Sequence, residues 1–317
     1  MHRHQTFAHW RWIMQVNFEI VIFPRHDMPW EEFVRTTPPR SIALDGVVKG
    51  GPRFDPATLH QNFDHHDGVV REATMCTAMQ VFYAIKGGLM RSFGGDTCYI
   101  YINDTDQDTS LAVWILLNYK LFEGTQSIPH INRLLELDNR WDVTGGAFPM
   151  NLNDALLRQH SWVFQPYTDL RKSGGLASAT EVELRNNLEA VLARLTQYLM
   201  GQGGEVEMDT RHEILFDHPR FKIVNEIGGN DARYHLYANG MDAFISLVAT
   251  RPDGRFIYSV GRRSCYIPFP VTRLFQVFNA AEGQNRWGGS DLIGGCARGD
   301  GSKLEWGQLR DLTLAEL

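Results

Sequence analysis

The chain has 317 residues, which at about 150 per domain predicts two domains, and its 43% apolar content with 29 glycines excludes whole-chain disorder. Thirty-one basic residues against 37 acidic ones leave a formal charge of −6. That balance excludes a protein that holds polyanions by bulk electrostatics, so any phosphate chemistry has to be local. Cys76, Cys98, Cys265 and Cys296 are scattered without a Cys-x-x-Cys pair. This argues against a disulfide framework or a structural zinc site and for a reducing compartment. No apolar run has the length of a membrane span, and Met1 to Met14 is rich in His, Arg and Trp without a signal-peptide core. The expectation is a soluble, cytoplasmic protein with no membrane partner, whose first thirteen residues are an extension that adds little to the fold.

In chain order, the first predicted strand is Phe18 to Phe23 and the second Ser41 to Leu44, ending at Asp45-Gly46. Both are short and apolar, as buried parallel strands are. Beyond Asn62-Phe63-Asp64-His65-His66-Asp67-Gly68, apolar residues at helical spacing (Met75, Met79, Phe82, Ile85) predict a helix over 74–86, stopped by Gly87-Gly88. A third strand, Thr97 to Asn103, runs into Asp104-Thr105-Asp106-Gln107-Asp108, and a helix follows over 109–119. Alternating strands and helices give an α/β layer with a parallel sheet. Thr180 and Glu183 form a capping box ahead of Leu184, Leu188, Val191, Leu192, Leu195 and Leu199, a helix over 180–200 that Gly201 to Gly204 terminates. The pattern then turns to antiparallel strands: Phe221 to Ile227, Arg233 to Tyr237, and Phe244 to Thr250. Pro252-Asp253-Gly254 joins the last to Arg255 through Gly261, a strong hairpin signal. The domain boundary falls at the glycine-rich helix exit, giving an N-terminal domain over 1–204 with its linker helix and a smaller mixed α/β domain over 205–317.

Chemistry concentrates at strand ends. Asp64-His65-His66 follows an apolar residue at the carboxyl end of a strand, the end that faces the ligand crevice in parallel α/β sheets. Asp45 closes a second strand, and Asp104 with Asp106 a third. Singly, each also reads as a turn or helix cap. Together they converge carboxylate and imidazole without thiolate, a set that suits Mn²⁺, or Mg²⁺, better than structural zinc. Two such ions about 3.5 to 4 Å apart, sharing a carboxylate, activate water and neutralise phosphoryl charge.

Asp64-His65-His66, with the helix that begins Ala73-Thr74-Met75-Cys76-Thr77-Ala78-Met79, resembles the third motif of the DHH phosphoesterases and its following helix. Asp45 is similar to the family's second motif, and Asp106, or Asp104 beside it, to the fourth. Tyr258-Ser259-Val260-Gly261-Arg262-Arg263-Ser264, a helix, and then Trp287 through Gly295 resemble the associated substrate-binding domain, with its Gly-Gly-Gly-His-x-x-Ala-Ala-Gly segment after an Arg-Ser strand. The resemblance implies that Asp45 bridges two manganese ions, with His65 and Asp106 or Asp104 as further ligands. His66 then contacts the scissile phosphate and Asp64 orients the pair, as outer carboxylates orient metal-bound imidazoles.

The family's first motif, His-x-Asp-x-Asp, is missing. Phe23-Pro24-Arg25-His26-Asp27 follows the right strand and supplies His26 and Asp27 as candidate ligands where three are expected. Asp104, Asp106 and Asp108 at alternate positions, and Asp138 with Asp142, offer carboxylates able to complete the site from another side. Ser290 stands where the glycine-rich segment should carry histidine; Gly288, Gly289 and Ser290, with Arg262 and Arg263 for fixed charge, are the candidate substrate contacts. The expected function is metal-dependent hydrolysis of a phosphodiester, phosphoanhydride or small nucleotide in a cleft between the domains. The alternative is a nucleotide- or phosphate-binding protein without turnover. The expected partners are a small phosphorylated substrate or short oligonucleotide, with a second copy of the chain in a homodimer as a further option.

Overall fold

The computed structural model describes residues 16–296 and 301–317; the expected N-terminal extension lies outside them. The N-terminal half runs β1 (Asn17–Ile22), α1 (Trp30–Thr36), β2 (Ser41–Leu44), β3 (Arg53–Asp55), β4 (His60–Phe63), α2 (Thr77–Gly87), α3 (Leu89–Ser92), β5 (Thr97–Ile102), α4 (Gln107–Leu117), α5 (Pro129–Val143), α6 (Ala155–Lys172) and α7 (Glu181–Leu199). Its sheet has the order β1-β5-β2-β4-β3. The first four strands in that order are mutually parallel, and only the edge strand β3 is antiparallel.

Alternation along the strands divides their side chains between two layers. Ile22, Ile42, Leu44, Ile100 and Ile102 enter the large core under the helices, with Val81, Leu111, Ile115, Leu188 and Leu195. Ala43 and Tyr101 face the other way, onto Met28, Phe33, Val47 and Val48. Both faces of β2 are therefore covered, and all four of its residues are buried. With the strands parallel, the loops after β1, β2, β4 and β5 all emerge at one edge. Asparagine side chains tie them together there: Asn103 Nδ2 donates to the carbonyls of His26 and Gly46, and Asn62 Nδ2 to those of Gly50 and Gly51, all at 2.9 to 3.1 Å.

The predicted helix over 180–200 is α7, with both hydrogen bonds of its Thr180–Glu183 capping box in place; such caps contribute about 1 kcal/mol. The helix expected over 74–86 begins later, at Thr77, and Met75 stays outside it, exposed. Its cap comes from far along the chain: the Asp108 carboxylate accepts both the Thr77 and Ala78 amides at 2.7 Å. Gly88 ends the helix in the left-handed region at φ 101°.

The C-terminal half continues β6 (Glu213–His218), β7 (Phe221–Asn225), α8 (Asn230–Ala238), β8 (Ala243–Thr250), β9 (Phe256–Arg262), α9 (Val271–Glu282), β10 (Gly288–Gly289), β11 (Ile293–Gly295) and α10 (Trp306–Leu314). Its sheet is ordered β10-β11-β9-β8-β7-β6 over a core of its own. The protein is thus a mixed α/β fold with two sheets. The Asp253-Gly254 hairpin is present, pairing Thr250 with Phe256.

One predicted strand is wrong. Arg233 to Tyr237 lies in α8, and because a helix intervenes, β7 and β8 run parallel rather than antiparallel. The buried residues Ala232, Arg233, Leu236 and Tyr237 repeat at helical spacing, which the aromatic, alternating look of Arg-Tyr-His-Leu-Tyr disguises. Arg233 makes a bidentate pair with Glu226 at the end of β7, 2.5 and 2.9 Å long and fully buried, which fixes the helix on the sheet. Removing one partner of such a pair costs about 3 to 5 kcal/mol.

The halves are joined along α5. Trp141 stacks on Tyr234 of α8 at 4.0 Å between ring centroids, and Leu137, Trp141, Leu157 and Tyr234 make a small shared core. Segment 202–212 connects α7 to β6 without regular structure, pinned to α6 by Val206 N to the Arg158 carbonyl and by the Arg158–Glu205 ion pair.

Candidate metal centre

Asp45 follows β2 with φ +54°, a left-handed conformation that side chains other than glycine seldom adopt. Its carboxylate is held there by two buried hydroxyls: Thr77 Oγ1 donates to Oδ1 at 2.9 Å and Thr109 Oγ1 to Oδ2 at 3.1 Å. The local strain is offset by tertiary bonds, a pattern found where geometry serves a site.

After β4, Asp64 folds back on its own turn. Its Oδ1 accepts the amides of His65 at 2.7 Å and His66 at 3.1 Å and faces His66 Nδ1 at 2.9 Å. The Asp64 carboxylate thus fixes the turn and faces the His66 ring alone, and the two imidazoles are aimed differently. His66 is 37% exposed at the rim, its Nδ1 also 3.4 Å from Asp45 Oδ1. His65 is wholly buried, and its Nε2 faces Asp142 Oδ2 at 2.6 Å and Asp45 Oδ1 and Asp108 Oδ2 at 3.5 Å each.

One ring nitrogen has at most one hydrogen to give. Three carboxylates around it exceed what an N–H can satisfy, and among the described residues His65 Nδ1, His65 Nε2 and Asp142 Oδ2 are buried without a well-formed hydrogen bond. Potential ligand atoms of Asp45, His65 and His66, and again of His65, Asp108 and Asp142, lie within 4.8 Å of one another. The donor set is imidazole plus carboxylate, and the orphaned polar atoms are those a divalent cation would bind, so the residues fit a metal.

Electrostatics points the same way. Asp45, Asp106, Asp108, Asp138 and Asp142 crowd one region whose neighbouring cationic groups are His65, His66 and Arg71. Burial, then the neighbouring carboxylates, hold Asp106, Asp108 and Asp138 well above the usual carboxylate range. Burial also pushes Asp45 up, but His66 and His65 outweigh it and leave that carboxyl well below the ordinary value. Asp142 is held low against its burial by His65 and Arg71. Burial works against a charge on His65, yet Asp142 and Asp45 keep it well above a free imidazole.

Of the expected ligands, Asp45 and His65 lie in this centre. Asp106 borders it but spends Oδ1 on the Thr109 amide as N-cap of α4. Asp104 stands beside it, accepting Tyr167 Oη at 3.3 Å and the Thr105 amide. His26 and Asp27 are not brought in: the turn at Arg25 (φ 58°) leaves both exposed, and Asp27 pairs with Lys49 at 3.1 Å. Asp108 and Asp142, present in the sequence only as surplus carboxylates, stand around His65 Nε2 instead. The Asp-x-Asp-x-Asp run and the i, i+4 spacing of Asp138 and Asp142 were the available signals. Arg71, 7% exposed, donates to the Asp142 carbonyl at 2.8 Å and lies 3.5 Å from its Oδ1, a support with no sequence signal.

The candidate substrate contacts are occupied by their own fold. Arg262 pairs with Asp291 at 2.8 Å and donates to the Ile267 carbonyl; Arg263 donates to the carbonyls of Tyr237 and Met241. Ser290 Oγ closes the β10–β11 hairpin by bonding Leu292 and Ile293, and Gly288 and Gly289 are exposed strand residues of that hairpin. The hairpin nevertheless reaches the turn just after α5, the helix that carries Asp142. Ile293 packs so closely on Gly145, three residues beyond Asp142, that a side chain there would meet it at 3.1 Å. Cys265 N also reaches Glu72 Oε1, next to Arg71, at 3.1 Å. A cavity of about 780 Å³ between 150–158, 205–210 and α8 contains none of the predicted site residues. No helix among the described residues is long and apolar enough to cross a membrane. Compared with known proteins, the chain matches no family model, no curated protein and no solved structure.

Proposed function

We propose that the protein is a metal-dependent phosphoesterase, a divergent relative of the DHH phosphoesterases, acting on a phosphodiester, phosphoanhydride or small nucleotide. The observation that carries this reading is the convergence of Asp45, Asp108 and Asp142 on the buried Nε2 of His65, at the carboxyl edge of a parallel sheet. Asp45, His65, Asp108 and Asp142 would hold a pair of divalent ions, Mn²⁺ or Mg²⁺, which would supply an activated water and screen phosphoryl charge.

The chain's own residues do the rest. His66 is the one imidazole of the pair open to solvent, and Asp64 fixes its ring through Nδ1, leaving Nε2 free to face a phosphoryl oxygen or protonate a leaving group. Thr77 and Thr109 hold the Asp45 carboxylate in its left-handed turn. Arg71 fixes the end of α5, and with it Asp142, and the β10–β11 hairpin brings the C-terminal half to the turn just after α5. Hydrolysis of bis(p-nitrophenyl) phosphate with and without Mn²⁺ tests the reading. Turnover should require the metal and be lost in Asp45→Asn and His66→Ala variants that keep wild-type circular dichroism. Metal binding without turnover on any phosphoester, cyclic and linear dinucleotides included, would instead support a phosphate-binding protein that has lost catalysis.

A further inference from the structure

We propose that Cys76, Asp108 and Asp138 form a second, inner cation site for a thiophilic divalent ion of the zinc class, joined to the Asp45–His65–Asp142 centre through Asp108. One potential ligand atom from each of the three lies within 4.8 Å of the others. All three side chains are buried, with exposures of 0% for Cys76, 1% for Asp108 and 2% for Asp138.

The independent sign of a ligand is Asp138. Its Oδ1 pairs with His160 Nε2 at 2.9 Å, while its Oδ2 is buried with no hydrogen-bond partner among the described residues. A carboxylate oxygen in that condition costs free energy unless something binds it. Nothing in a purely structural role for Asp138 explains the bare oxygen, because His160 satisfies only the other one.

The rest of the pocket is built to hold its shape. Cys76 is the N-cap residue of α2, and burial, then Asp108, Asp138 and Asp142, hold its thiol well above the usual range, so that the proton leaves only as a cation takes its place. Its own amide donates to Asn139 Oδ1 at 2.8 Å, tying the start of α2 to the residue beside Asp138. Asp108 is fixed by the Thr77 and Ala78 amides and still has lone pairs to spare. His160 stacks edge-on against Trp141 and orients Asp138 from outside, a histidine supporting a carboxylate ligand. One thiolate among carboxylates distinguishes this pocket from the neighbouring imidazole–carboxylate centre and shifts its preference from manganese and magnesium toward zinc and cobalt. Binding displaces the thiol proton to solvent and changes no oxidation state. The proposal does not depend on the phosphoesterase reading.

Cobalt titration of the metal-free protein tests it, since a cobalt–thiolate bond gives a charge-transfer absorption that oxygen and nitrogen ligands do not. The expected result is that band in wild type, its loss in Cys76→Ser, and at least about tenfold weaker cobalt binding at the band in Asp138→Asn. His65→Ala, which breaks the neighbouring centre, should keep the band, so a failed hydrolase assay and a failed inner site are told apart. The proposal is overturned if wild type binds cobalt without the band, if it binds no cobalt, or if the band survives in Cys76→Ser.

Discussion

Replacing Asp108 by asparagine separates the two tasks of that carboxylate, capping α2 and facing His65. The amide keeps one acceptor oxygen but turns an NH₂ toward the second helix amide, so one charge-assisted bond of the pair to Thr77 and Ala78 is lost, worth about 1.5 to 3 kcal/mol. Against this, the change removes a negative charge within 4.8 Å of Asp142, a repulsion of at least about 3.5 kcal/mol at an effective dielectric constant of 20. The two effects nearly cancel, so urea denaturation of the metal-free variant should give a stability within about 2 kcal/mol of wild type. Metal-linked stabilisation should behave otherwise. At a Mn²⁺ concentration about a hundred times Kd, wild type gains about 2.7 kcal/mol, and the variant should gain almost none. Equal Mn²⁺ stabilisation in the two proteins would remove Asp108 from the centre. A metal-free loss well beyond 3 kcal/mol would mean that capping, not ligation, is its main task.

Four further outcomes bear on the same centre. Arg71→Ala should weaken Mn²⁺ binding by about 10- to 100-fold in calorimetry, because Asp142 loses the group that fixes it, while unchanged affinity would make Arg71 a packing residue. His26→Ala with Asp27→Asn should leave Mn²⁺ affinity unaltered, since both side chains lie exposed in the turn after β1; a measurable drop would contradict that placement. Mn²⁺ affinity should rise with pH and release protons, measured by calorimetry in two buffers of different ionisation enthalpy. Asp106, Asp108, Asp138 and His65 all hold protons above the pH at which the free groups lose them. By the same linkage, metal-free stability declines as pH rises above about 4 through the raised values of the three acids. The contribution of Asp45 and Asp142, held low, is present above that pH and lost only as acid protonates them.

The parts of this fold that local patterns encode were legible. β2, α7 and the Asp253-Gly254 hairpin each announce themselves by a signal inside a few residues: an apolar run, a capping box, a turn dipeptide. The positions of Asp45 and of Asp64-His65-His66 just after β2 and β4 were legible, because each follows an apolar residue that ends a strand. What was missed depends on distance along the chain. The start of α2 is set by Asp108, some thirty residues away, so spacing alone put it three residues early. α5 and α6, unread in the sequence, have one polar face each, and α5 brings Asp138 and Asp142 to the centre only through its packing on α2 and α4. Arg233 passed for a strand residue because its partner, Glu226, and the helix they fix together emerge only in three dimensions. Arg262, Arg263 and Ser290 carry the right chemistry for a phosphate, but the acceptors that engage them belong to the fold.

The account rests on a cation at His65. Anomalous diffraction at the manganese edge, from crystals of the full chain soaked in Mn²⁺, tests that directly. The account predicts a peak within coordination distance, about 2.0 to 2.3 Å, of His65 Nε2 and the carboxylates of Asp45, Asp108 and Asp142. Crystals that show no peak there, or a peak only at exposed acids elsewhere on the surface, would contradict it.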